Sequence, residues 1–152
     1  MRHLYRVFVL VLLALSPALM SRAARAADAP KDAWPDTHAG VMARGWVTAF
    51  DSGEASMHAF IDRNMAAKSL HERDVHVRVE RYKTLRGQYG KLQLAAVVKS
   101  TPAELTVQLM DSDAKSHEFT FAVQSEAPYK LTTVSIREAM HGMHGLFSGF
   151  HH

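Results

Sequence analysis

The chain of 152 residues contains no cysteine, which excludes a disulfide scaffold, a thiolate metal centre and a lipid anchored through a thiol. Only 8 glycines and 5 prolines are present, too few for a collagen-like or low-complexity chain. Long apolar runs are also scarce. The single one is Val7–Leu15, shorter than the roughly 18–20 residues that span a bilayer, so a membrane protein is not expected. The net charge of +3 points toward nucleic acid until its location is considered. Arg2, Arg6, Arg22 and Arg25 fall in the first 26 residues, where there is no acid. Removing those four from the 18 basic residues leaves 14 against 15 acidic, a net charge of −1, and the argument for a nucleic-acid partner disappears. What is present, 47% apolar residues, suffices for one globular core and excludes wholesale disorder.

Residues 1–26 have the grammar of a signal peptide: a positive start, the apolar run, the helix-breaking Ser16-Pro17, and the small-x-small sequence Ala24-Arg25-Ala26. Cleavage is expected after Ala26, which would leave a periplasmic or secreted protein of 126 residues with no membrane association. Residues 27–36, with two prolines and no apolar period, read as a flexible lead-in. Residues 37–138 carry the periodic patterns of a domain, and residues 139–152 form a His/Met/Gly-rich tail.

Within the domain, Val41, Met42, Trp46, Ala49 and Phe50 recur on one helical face after Asp36 or Thr37, and Gly53 supplies a stop. A second helix is predicted over about 54–65 on Met57, Phe60, Ile61 and Met65. A third is predicted over about 74–89 on Val75, Val79, Tyr82, Leu85 and Tyr89, with Arg78 and Arg81 off that line and Gly90 as cap. The period then becomes two. Leu92, Leu94, Ala96 and Val98 define the inner face of one strand; Leu105, Val107 and Leu109 a second; Phe119, Phe121 and Val123 a third; Val134 and Ile136 a fourth. Short connections imply an antiparallel meander, and the fold class is α+β, three N-terminal helices on a curved four-stranded antiparallel sheet.

The stretches GWVTAFDSGEASMHAFIDRNM, ERYKTLRGQYGKLQLAAVVKSTPAELTVQLMD and HEFTFAVQSEAPYKLTTVSIRE together resemble the small module that precedes the catalytic domain in some secreted bacterial serine hydrolases. That module is of the nuclear transport factor 2-like (cystatin-like) type, so the resemblance implies a cone of helices packed into the sheet, over roughly residues 37–137. The chain stops 15 residues after Arg137, without the hydrolase domain, so the resemblance carries no hydrolase activity with it.

Three constellations invite catalytic or metal readings. Ser112-Asp113-Ala114-Lys115 matches Ser-x-x-Lys, but that chemistry needs a helix start to bring Lys beside Ser, and these residues form a turn between strands. His71 and His76, five apart, would lie about 140° apart on a helix and cannot share an ion as an i, i+4 pair does. His117, the sole titratable residue on an inward strand position, stands at a strand start and reads as a surface histidine.

The expected pocket residues are Trp46, Phe50, Phe60, Tyr82, Tyr89, Phe119 and Phe121, bulky and apolar, with the look of core filling. In the tail, Met140, His141, Met143, His144, His151 and His152 offer thioether and imidazole donors suited to copper or zinc, against a reading as a plain chain end. The outer sheet face is read as polar around a modest apolar patch of Ala95, Val97, Met110, Ala122 and Leu131, which predicts a monomer or weak dimer. No catalytic residue is assigned. The expected function is an exported, non-enzymatic accessory or binding module, its partner a small apolar ligand or a protein such as an exported hydrolase. The alternatives are a pocket enzyme of isomerase or dehydratase type and a metal-binding protein acting through the tail.

Overall fold

The computed structural model describes residues 33–138, and the expectations for residues 1–26, the first part of the lead-in and the tail with its six metal donors lie outside the described residues. The first helix, α1 (His38–Ser52), begins where Thr37 Oγ1 accepts the Gly40 amide at 3.0 Å, a cap that stabilises such a terminus by about 1 kcal/mol. It stops at Gly53, whose φ of 112° is one a side chain would resist, and α2 (Glu54–Asn64) follows at once. The long helix α4 (Val75–Tyr89) is capped by Asp74, which accepts the Val77 amide at 2.9 Å.

A helix that the sequence reading leaves out stands between them, α3 (Ala67–Glu72), six residues long. It is too short for a 3.6-residue stripe to be legible, and contacts distant in sequence hold it. Ser69 Oγ donates to Thr132 O at 2.9 Å, and Ala66 N donates to Leu131 O at 2.8 Å. His71 belongs to α3 and His76 to α4, both exposed, so the pair expected on one segment is divided between two helices and the cap is Asp74.

The strands β1 (Gln93–Ser100), β2 (Glu104–Met110), β3 (Ser116–Val123) and β4 (Leu131–Glu138) form one antiparallel sheet in the order β1-β2-β3-β4, the meander that the short connections predict. Alternation is clean in β3, where His117, Phe119, Phe121 and Val123 are buried. In β1 it breaks. Irregularities between Leu94 and Ala96 and between Val97 and Lys99 shift the phase, so Ala96 pairs with Gln108 and Val97 with Val107. One extra residue turns every following side chain to the other face. The expected inward Ala96 and Val98 are therefore exposed, and Val97 pairs with the core residue Val107 instead of joining an outer patch. A similar shift between Ala122 and Val123 places Leu131, expected outside, fully in the core.

The core lies between α1 and the sheet. Trp46 and Phe50 meet Phe119 and Phe121, with Trp46 ring centroids 5.2 Å from Phe50, 5.9 Å from Phe119 and 5.7 Å from Phe121. Asp51 then ties α1 to the start of the sheet: its Oδ1 accepts the Leu92 amide at 3.1 Å and lies 3.4 Å from Arg86 Nη1, which also donates to Gly90 O. The lead-in is not wholly loose either. Trp34 packs against the core, and a Cβ on Gly40 would collide with the Pro35 carbonyl, so the chain crosses α1 where that position is bare.

Candidate functional site: a cavity between helices and sheet

A half-open cavity lies between residues of α1, α2, α4 and β4. The cavity has a volume of 440 Å³, within the ~300–1,000 Å³ usual for small-molecule sites. Trp46 of α1 and Met57, Ile61 and Met65 around α2 supply part of its wall, and Tyr82 and Leu85 of α4 face Val134 and Ile136 of β4. The same residues explain the local helices: on α2 and α4 they are the apolar positions that periodicity picks out. Tyr82 spends its hydroxyl on Phe50 O at 3.3 Å, so it presents a ring to the cavity and no free donor.

The remaining lining is charged. Arg73, Arg78 and Arg81 stand with Val77 on one side, and none of the lining residues is a carboxylate or an imidazole. Arg78 is the anchored member, its Nε donating to Arg73 O at 2.9 Å and its Nη2 to Ser69 O at 2.7 Å. Burial lowers its pKa, the neighbouring Arg73 charge lowers it further, and Glu72 pulls it partly back. A guanidinium remains protonated despite this, so the effect is a partly desolvated, permanent positive charge at the cavity wall.

Of the residues expected to line a pocket, Trp46 and Tyr82 do so. Phe50, Phe119 and Phe121 are completely enclosed in the core. Phe60 lines a different site, an open groove between α1 and α2 next to Gly45. Tyr89 is buried at the far end of α4, its ring 4.4 Å from that of His117. The arginines were missed because they fall off the apolar line of α4 and read as solvated. The available signal was Arg78 and Arg81, three apart and directly beside Tyr82 and Leu85 at helical spacing.

His117 needs correction as well, because it is buried and not a surface residue. Its Nε2 lies 2.8 Å from Asp111 Oδ2, while Asp111 Oδ1 accepts the amides of Asp113 and Lys115, both at 2.9 Å. Burial pushes the Asp111 carboxyl up, but the bond to His117 and the two amides outweigh it and hold the group below its ordinary value. Among the described residues His117 Nδ1 has no hydrogen-bond partner. The pair closes the β2–β3 turn and lies outside the cavity lining. Ser112 in the same turn accepts the Lys91 amide on its Oγ at 2.8 Å, a structural task.

No family model, curated protein or solved structure matches the chain. The arrangement must therefore be read from its own chemistry. Among the described residues no group of three or more histidines and carboxylates is placed to hold a metal ion, and no helix is long and apolar enough to cross a membrane.

Proposed function

We propose that the protein is an exported, non-enzymatic binding module of the nuclear transport factor 2-like type, whose cavity holds a small ligand with an apolar body. The observation that carries this reading is the 440 Å³ space between the helices and β4, nine of whose twelve lining residues are aliphatic or aromatic. An isomerase or dehydratase needs an acid or base within reach of its substrate, and the buried Asp111–His117 pair is not among the residues that face this space. Export is supported by the signal-peptide pattern of residues 1–26. A second contact, with a protein such as an exported hydrolase, is favoured by the edge strand β1, which among the described residues pairs with β2 alone and where Val97 and Val98 are 41% and 54% exposed.

The test uses Nile red, a neutral dye whose emission rises in apolar surroundings. Wild-type protein is expected to bind it saturably, and Ile136→Trp, which fills the cavity from β4, is expected to abolish the emission with an unchanged far-ultraviolet circular dichroism spectrum. Absence of saturable binding by the wild type would refute the reading.

A further inference from the structure

We infer that the cavity is built for an anionic amphiphile, an aliphatic chain ending in one carboxylate or phosphate head, with the head held by Arg78, Arg73 and Arg81. The inference rests on the binding reading above and adds the chemical class of the ligand. A purely apolar ligand would need no charge at the cavity, yet three guanidinium groups line it and, among the described residues, no carboxylate does. The charges are also largely uncommitted. Arg78 uses two of its five N–H donors on backbone carbonyls, which leaves three, and those two bonds fix the plane of the group. Arg73 and Arg81 have no side-chain hydrogen bond or ion pair among the described residues.

Charge economy elsewhere on the same helix makes the contrast plain. Lys83 is paired with both Glu54 and Glu80, at 3.2 and 2.9 Å, and Arg86 lies against Asp51. On the cavity side of α4 Glu72 is the acid whose charge acts on Arg78, and it is not part of the lining. A cluster of three like charges, offset only in part by Glu72, next to low-dielectric walls raises the local potential for anions, and a guanidinium fork matches a carboxylate or phosphate with paired hydrogen bonds. The wall opposite, Met57, Ile61, Met65 and Val134, offers only apolar contact. A molecule that satisfies both must carry an apolar chain and an acidic end.

The experiment compares dodecanoate, dodecyl phosphate, dodecanol and dodecylammonium, each as monomer below its micelle concentration, by displacement of Nile red and by calorimetry. Acetate alone serves as the free-anion control. Dodecanoate or dodecyl phosphate is expected to bind about tenfold tighter than dodecanol, as one charge-assisted contact allows. The double variant Arg73→Gln/Arg81→Gln changes two exposed side chains and leaves the Arg78 backbone contacts in place. It is expected to lose part of that tenfold, Arg78 retaining the rest, while its affinity for dodecanol stays the same. Equal affinity for dodecanol and both anions, tighter binding of dodecylammonium, equal binding of acetate, or indifference of the anions to the double variant would each overturn the inference while leaving the cavity as an apolar site. Failure of all four amphiphiles and of Nile red would instead overturn the binding reading itself.

Discussion

Replacing Trp46 by alanine tests the hollow architecture more sharply than any other single change, because the ring belongs to the core on one side and to the cavity on the other. It is only 7% exposed and contacts Phe50, Phe119 and Phe121. Truncation of a buried Trp or Phe costs about 3–5 kcal/mol, of which part is the void left behind. For Trp46 that void joins a space that already exists, so the cavity contribution is reduced and a loss of about 3 kcal/mol is expected. Phe50, completely enclosed and outside the lining of this cavity, should cost about 4–5 kcal/mol on the same change although its ring is smaller. Both are large against the roughly 5–15 kcal/mol available to a domain of this size. Urea unfolding followed by circular dichroism at 25 °C measures the two losses, with equal slopes checking that the unfolded states match. If Trp46→Ala proves more damaging than Phe50→Ala, the surroundings of Trp46 are closed and the cavity is not there.

The Asp111–His117 pair predicts an acid limit to stability. Because the folded carboxyl titrates below its ordinary value near 4, its contribution is complete above that pH and is lost as pH falls through the lower folded value. Wild type should therefore lose urea resistance below about pH 4 more steeply than Asp111→Asn, and parallel profiles would refute the assignment. At the α4–β1 corner, Gly90 has φ 67° and a Cβ there would strike the Ser112 side chain, so Gly90→Ala should cost about 1–3 kcal/mol in the same assay. Ser112→Ala, which removes only the acceptor for the Lys91 amide, should cost about 0.5–1.5 kcal/mol; a cost of zero would show that this contact is not formed in solution.

Much of the fold was legible because it depends on local period. The Trp46, Ala49 and Phe50 positions of α1, the stop at Gly53 and the alternation of β3 are written in adjacent residues, and each appears in the structure where the pattern places it, whereas Val41, expected on the same face of α1, is exposed. The sequence also determined what the domain lacks, since no sulfur crosslink and no second apolar run can arise without the residues for them. The tertiary structure decided the rest. Helix α3 exists through hydrogen bonds to β4 more than sixty residues away in the case of Ser69. The phase of β1 and the burial of Leu131 turn on single extra residues that a period-two count carries straight past. His117 is buried because Asp111, six residues earlier and outside the alternating run, folds back onto it. The cavity is the clearest case: apart from Val77 its apolar wall residues were visible as apolar positions, but a stripe of apolar residues has the same appearance whether it meets a filled core or an empty space. Only the placement of α2, α4 and β4 in three dimensions distinguishes the two, and that placement is what brings Arg73, Arg78 and Arg81 into the lining of one cavity.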